Sequence, residues 1–503
     1  MNYKTLKTFA FSIFMGCSVL STQAQIYVDA SAGGVNDGSS WDDAFTDLQL
    51  ALDAATAGAE IRVASGTYKP TAAPDETTGN DRKKAFYFNK NLVLKGSYNP
   101  VINEQEFTNP SILSGDFNGD DTLSNDGSIS QNTENAYHVL ITANLSNATL
   151  IEGFYITGGH SDGIDSSISY SNKDFKNNLG AGMYHIASSP SIFNTVFRRN
   201  SASNDGAGMY NDVSSPSIVN TVFSENWAIR GAGMFNESSS PSIVNTVFSG
   251  NKANFGGGIY NISSSSSPSI VNSVFSGNVV VYRGGGIRNS SASPTIYNTV
   301  FYGNGEDINN SLGSTTGGNN FSEDFSGTGF TRLTEDPFLD SANPRGADGK
   351  WFTTDDGLQP SATSPIAGNG DATKLPSDTK DLDGDGDTSE AIPFDIIGRT
   401  RVLGSLDVGA YEISSAVLSV KEIDSSKLDI YNSGHKTLVI HGVLNAKTTA
   451  NVYSLQGTLV ASKVFNKFST SNTLDVSTLS TGIYIVKMYN AKHQVHTKKL
   501  FIQ

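Results

Sequence analysis

At 503 residues the chain is long enough for several domains. Its 50 glycines and 17% charged residues suit a turn-rich β protein, its formal charge of −15 argues against a nucleic-acid binder, and its one cysteine, Cys17, excludes a disulfide framework. The charge is uneven: residues 417–503 hold ten lysines and four acids, so the acidic excess lies upstream of them.

Residues 1–24 read as a secretory signal peptide. Lys4 and Lys7 precede an apolar run from Phe9 to Leu20, and Thr22 to Ala24 form a small-residue cleavage site before Gln25. An apolar run of about 12 residues is too short to cross a bilayer, and no later stretch is apolar enough to do so. Ile26 to Asp29 then begin a strand. Trp41, Phe45, Leu48, Leu52 and Ala55 recur at helical spacing, which predicts a helix opening at Ser40, with Asp43 completing a capping box and Gly58 stopping it. Such an amphipathic helix suits the exposed end of a repeat array, which needs a cover. Glu60 to Ala64 is the next strand. Less regular strands follow over 84–160, interrupted by polar insertions at 70–83, 102–135 and 160–178 that map to loops.

Between residues 180 and 304 one coil of about 26 residues is written five times. The copies open at Gly180, Gly206, Gly231, Gly256 and Gly284, carry Ser-Pro at Pro190, Pro216, Pro241, Pro268 and Pro294, and continue to Phe197, Phe223, Phe248, Phe275 and Phe301. Gly, Ser, Asn and β-branched residues dominate, so each copy reads as three short strands separated by turns. Stacked strand on strand at roughly 4.8 Å, the copies make a parallel β-helix. Alternation points Met183, Ala207, Met209, Met234, Ile259 and Ile287 inward, with Ile192, Ile218, Ile243, Ile270 and Ile296 in a second stack and the five phenylalanines in a third. Asn194, Asn220, Asn245, Asn272 and Asn298 form one asparagine ladder, and Asn200, Asn226, Asn251, Asn278 and Asn304 another; both are structural, since asparagine tolerates left-handed turns and stacked amides bond from coil to coil. The β-helix is expected over 25–332. Residues 333–412, rich in Asp loops, are expected to close its second end. A linker at 413–416 leads to a small domain at 417–503, whose short strands suggest an Ig-like β-sandwich.

Three stretches carry family resemblances. Tyr27 to Pro70, with its Tyr27-Val28-Asp29 start, its Asp37-Gly38-Ser39-Ser40-Trp41 segment and its Val63 to Pro70 end, resembles the N-terminal cap of secreted bacterial right-handed parallel β-helix proteins of the pectin-lyase-like class. The order Glu335-Asp336-Pro337-Phe338, Thr353 to Gly357, Ser364-Pro365 and Asp407 to Tyr411 is similar to the segment often appended to such helices. Tyr453 to Val460, Leu474 to Lys487 and Lys498-Lys499-Leu500 resemble the type A C-terminal sorting domain of the type IX (Por) secretion system, although Ile430-Tyr431-Asn432 stands where relatives have Tyr-Pro-Asn-Pro. That resemblance implies the type IX machinery as a partner, export through the periplasm, and a secreted or outer-surface location.

Candidate sites are few. Asp381, Asp383 and Asp385 before Gly386 match the first half of a calcium loop, with Asp387 and Glu390 as further donors; Ile392 occupies the position of the bidentate glutamate. Asp116, Asn118 and Asp120 make a weaker copy. Tyr184, Tyr210, Phe235, Tyr260 and Arg288 fall on the outer side of the Gly-x-Gly strand and would present a ladder for sugar rings, or else pack on one another or under the 160–178 loop and stabilise the stack. Asp205, Arg230 and Arg283 share a coil position but form no catalytic motif. Near-identical coils favour a structural or binding role, here a non-enzymatic surface or secreted protein that binds a polysaccharide, and the protein is expected to be a monomer; the alternative is a polysaccharide lyase or glycoside hydrolase on this fold.

Overall fold

The computed structural model describes residues 25–124, 127–361, 363–382, 386–401, 405–413, 429–432, 437–441, 447–454, 457–465, 471–490 and 495–502. The segment assigned to the signal peptide and the linker at 414–416 lie outside them. The chain divides into two compact units, Met1–Ile413 and Ser414–Gln503.

The first unit is a parallel β-helix. Three long sheets run along it: one of 11 strands from Gln25–Val28 to Thr316–Gly318, one of eight from Phe86–Phe88 to Ile308–Ser311, and one of ten from Gly66–Tyr68 to Phe330–Arg332. Register is strict in the regular coils: Ile192 pairs with Ile218, Met209 with Met234 and Phe223 with Phe248. The inward methionines, isoleucines and phenylalanines are fully buried in one continuous core. The phenylalanine rings stack face to face, their centroids 4.7–4.9 Å apart and their planes within 7°. Tight stacking dictates the opening glycines. Gly206 has φ +66°, and a Cβ on Gly208 would lie 2.4 Å from the Gly233 carbonyl of the next coil.

The first four regular coils have a fourth strand that the three-strand reading missed. Ser201–Ala202, Trp227–Arg230, Lys252–Phe255 and Val279–Arg283 form a fourth parallel sheet with His160–Ser161. Its outward residues do not repeat, which hid it. Its inward positions are small: Ala202, Ala228 and Ala253 pack on Ala181, Ala207 and Ala232.

Both asparagine ladders form. Asn194, Asn220, Asn245, Asn272 and Asn298 hold φ between 46° and 51°, the left-handed turn their side chains tolerate. Asn200 to Asn304 link coil to coil through amide bonds of 2.8–3.2 Å. A third ladder, Asn211, Asn236, Asn261, Asn289 and Asn310, is bonded in the same way at 2.8–2.9 Å.

The ends differ from expectation. The N-terminal helix is Leu48–Ala54, capped by Asp47, whose side chain accepts from the Gln49 amide at 2.8 Å. Ser40 bonds the Asp43 amide at 3.1 Å in a local turn, so Trp41 and Phe45 precede the helix. Leu48, Ala51 and Leu52 pack on Val28, Ile61 and Phe86 and cover the end of the core. At the far end Phe325 and Phe330 pack on the same core, with Phe330 6.2 Å from Phe301.

Residues 333–412 therefore do not close that end. They lie along the side. Because Phe197 and its equivalents point inward, their neighbours Val196, Val222, Val247, Val274 and Val300 point outward, and all five are buried under Phe338, Trp351, Leu358, Ile366, Val408 and Tyr411. Asn245 donates to the Phe394 carbonyl at 2.9 Å and accepts from Arg401 at 2.7 Å, while Asn298 donates to the Asp371 carbonyl at 3.0 Å. The fully buried Arg401 also pairs with Glu412. Lys350 and Lys380 reach back to the Thr108 and Asn147 carbonyls.

The second unit is a β-sandwich. A three-stranded sheet (Asp429–Asn432, Thr437–His441, Ser471–Asp475) and a four-stranded sheet (Leu459–Phe465, Thr448–Ser454, Gly482–Asn490, Val495–Ile502) are antiparallel. Ile430, Leu438, Val452, Leu474, Val486 and Ile502 share its core.

Two predictions follow from this packing. Asn251 is fully buried; its side chain accepts from the Asn226 backbone and amide and donates to the Phe223 carbonyl and Asn278. Asn251→Leu leaves these partners unsatisfied and should lower unfolding free energy by about 3 kcal/mol or more, read from denaturant midpoints. Burial pushes the Asp356 carboxyl up to about 7, against hydrogen bonds from Tyr411 (2.9 Å) and Thr353. A raised carboxyl favours the native state fully below the unfolded pKa of about 4, and that contribution is lost as pH rises towards 7. Asp356→Asn should flatten this decline, by on the order of 1–3 kcal/mol between pH 4 and 8; an unchanged slope would assign it to another group.

Candidate functional site

The aromatic row does not face solvent. Tyr184, Tyr210, Phe235 and Tyr260 are each at most 8% exposed. Tyr210, Phe235 and Tyr260 stack on one another with centroids 5.1–5.2 Å apart. The hairpin Ser167–Tyr170/Lys173–Lys176, from the 160–178 insertion, lays the fully buried Ile168 and Phe175 over Tyr184. Arg230 covers Phe235 and Tyr260 at 5.0 and 5.5 Å. Arg288 follows Tyr260 in the row and is half-buried. These side chains stabilise the stack and offer no ring face to a sugar.

The charged line is equally committed. Asp205, Arg230, Phe255 and Arg283 do fall in register. Arg230 holds Asp205 with two bonds of 2.6 and 2.7 Å, and Arg283 lies 3.6 Å from Glu306. Glu225 is gripped by Arg198, Arg199 and Arg345 at 2.9–3.1 Å. Burial opposes ionisation of Glu225, but the three guanidiniums hold its carboxyl below the usual range.

The concavity with open chemistry lies elsewhere, where residues 333–412 cross the outer face of the 11-stranded sheet. It has a volume of about 460 Å³. Phe107, Phe193, Phe352 and Phe394 supply apolar wall, and Lys95, Glu152, Asn194 and Asn220 supply polar groups. Strand register places Lys95 beside Glu152, and Glu152 beside Phe193. Burial pushes the Glu152 carboxyl up, against the charge of Lys95 and a 3.1 Å bond from Asn194 Nδ2. Asn220 accepts from Asn245 through its Oδ1 at 3.0 Å. Its Nδ2, Asn194 Oδ1 and the Lys95 ammonium carry no protein hydrogen bond among the described residues. Sequence reasoning assigned Asn194 and Asn220 to a structural ladder, in which Asn220 is bonded to Asn245 while Asn194 shares the left-handed turn but bonds Glu152, and missed the cleft, because half its wall arrives from beyond residue 350.

The two acidic loops fare differently. Asp383 and Asp385 lie outside the described residues. Asp381 accepts from the Gly386 amide at 3.0 Å, and Asp387 is bonded to Ser389. In the other loop Asp116 and Asp120 come together with Glu134, one carboxylate oxygen of each lying within 4.8 Å of the others. Asn118, between them in the chain, is exposed. Glu134 was missed because a hairpin, Thr122–Leu123 with Ile129–Ser130, separates it from Asp120. Burial raises the neighbouring Asp121 carboxyl to about 7, helped by the charges of Asp116, Glu134 and Asp120 and opposed by Asn135.

Residues 429–503 match the family described as the secretion system C-terminal sorting domain. Among curated proteins there is no significant match. Among solved structures, a pectin methylesterase in complex with a hexasaccharide is similar at 11% identity, over 65% of this chain and 97% of that chain, with a TM-score of 0.26; the assignment of the fold rests on the strands themselves. The chain is thus a parallel β-helix protein carrying a type IX sorting tail. Its tail commits it to the type IX machinery and to the cell surface or extracellular space, and no helix among the described residues is long and apolar enough to cross a membrane. Removing Lys421–Gln503 should hold the protein in the periplasm with the β-helix folded, as scored by fractionation and protease resistance; surface delivery equal to the full chain would contradict the assignment.

Proposed function

We propose that the exported β-helix is a non-enzymatic glycan-binding protein and that the cleft beside Lys95 and Asn220 is its binding site. One observation carries this reading. The cleft combines phenylalanine walls with a donor (Asn220 Nδ2), an acceptor (Asn194 Oδ1) and a cation (Lys95) that have no protein hydrogen bond. A pyranose presents the complementary surface: an apolar C–H face that packs on rings and hydroxyls that need partners at its edge. Mostly apolar clefts of this size with a few convergent polar groups are the usual form of small-ligand sites. The strands beneath are rigid, so the polar groups are preorganised.

A second reading has one observation behind it. Glu152, its carboxyl raised by burial, shares the cleft with Asp381, and two carboxyls around one sugar are the minimum for glycoside hydrolysis. In the binding reading both are committed, Glu152 to Asn194 and Asp381 to the Gly386 amide.

A panel of acidic and neutral polysaccharides separates the two. The mature protein should bind at least one of them without releasing reducing ends or unsaturated products. Lys95→Met with Asn220→Asp, which removes the donor but keeps the acceptor for Asn245 and tolerates the left-handed turn, should weaken that binding at least tenfold. Binding indifferent to the double variant moves the site, and turnover abolished by Glu152→Gln replaces this reading with the hydrolase.

A further inference from the structure

We propose that Asp116, Asp120 and Glu134, completed by the side-chain carbonyl of Asn135, form a calcium site that clips the loop between Ser114 and Leu140, the later part of the 102–135 insertion, onto the β-helix.

The loop leaves the coil after the strand Ser111–Ser114 and returns before the strand Leu140–Ala143. Asp116 marks the departure, Asp120 the base of the hairpin and Glu134 the return, so these three carboxylates close the loop at its neck. Oxygens bound to one calcium at about 2.4 Å can be at most about 4.8 Å apart. One oxygen from each carboxylate meets that limit. Magnesium, which needs ligands at about 2.0–2.1 Å in a near-ideal octahedron, demands a tighter set. Nitrogen and sulfur donors are absent from the group, which disfavours zinc.

Crowded acids alone are not a site. The second observation is that oxygens here are shut away from water with no partner. Glu134 Oε1 is inaccessible and unbonded. So is Oδ1 of Asn135, a residue only 1% exposed. The Asn135 amide is oriented by its nitrogen, which donates to both oxygens of Asp121 at 2.9 and 3.1 Å. Asp121 is tied to the same neck, because its backbone amide donates to Asp116 Oδ2 at 3.2 Å. That leaves the side-chain carbonyl oxygen of Asn135, one residue from Glu134, as a buried acceptor without a partner at the neck of the loop. Buried oxygens without a donor are costly, and a hard cation satisfies several at once. Cations that reach the loop are engaged elsewhere: Lys69 donates to the Phe117 carbonyl at 2.9 Å, and Arg82 donates to the Asn135 backbone carbonyl at 2.8 Å and pairs with Asp162. Asp116 itself is aimed by its own loop, accepting from the Gly119 amide.

The test uses the mature full-length chain, stripped with chelator and titrated calorimetrically with calcium chloride. The wild type should bind calcium, with magnesium at least tenfold weaker. Glu134→Gln and Asp120→Asn should each weaken one binding event at least tenfold. Asp120 is exposed, so its substitution reports on binding even where Glu134→Gln disturbs folding. Calcium should also protect the 116–135 loop from proteolysis in the wild type and not in Asp120→Asn. No binding at millimolar calcium overturns the site. So does binding that both variants retain, or binding lost only in Asp383→Ala with Asp385→Ala, which would place the ion in the loop after Asp381.

Discussion

A parallel stack repeats every contact it makes, so a polar side chain inside it either bonds the backbone of its own coil, as Thr221 does to the Val219 carbonyl, or finds its partner in its own counterpart one coil away. The amide of asparagine meets that demand, because it carries a donor and an acceptor at opposite corners. Asn226, Asn251 and Asn278 each receive from the coil before and give to the coil after. A carboxylate or ammonium in the same place would meet only its own kind, and no member of the three ladders is charged. The same demand sets the spacing of the phenylalanine stack and the glycine openings, since one close contact recurs in every coil.

This constraint explains what was readable. Residues that form ladders repeat by necessity, so the coil, the inward stacks and two of the asparagine rows stood out in the chain. The third row, Asn211 to Asn310, repeats just as faithfully and was available to the same reasoning. The fourth sheet was harder, because only its inner alanines obey the period while Trp227, Lys252 and Val279 face outward and vary. Helical spacing misplaced the start of the N-terminal helix: Trp41 serves Tyr27 and Tyr98 as an aromatic neighbour in the preceding loop, and Asp47, not Ser40, is the cap.

What did not repeat was not readable. The cleft joins Asn194 and Asn220 to Phe352 and Phe394, partners more than 130 residues away that share no pattern with them. The aromatic row was recognised, yet its exposure depended on the hairpin at 167–176, whose position no local rule supplies. Glu134 reaches Asp116 and Asp120 only because a short hairpin doubles the insertion back on itself.

The lateral course of residues 333–412 changes how the coils can fail. An unbraced solenoid behaves as a one-dimensional array that frays from its ends, each coil held only by its neighbours. Here one segment covers the valine row from Val196 to Val300 and fastens to carbonyls as early as Thr108 and Asn147. Peeling away a terminal coil therefore strips apolar surface from a strap that also grips the middle of the stack. Small local openings are suppressed, and tension applied at one end is shared along the whole length, as in a column of rings laced down one side. The lacing also fixes an order of assembly: its anchor points are created by the stacked coils, so it can tighten only after they have formed.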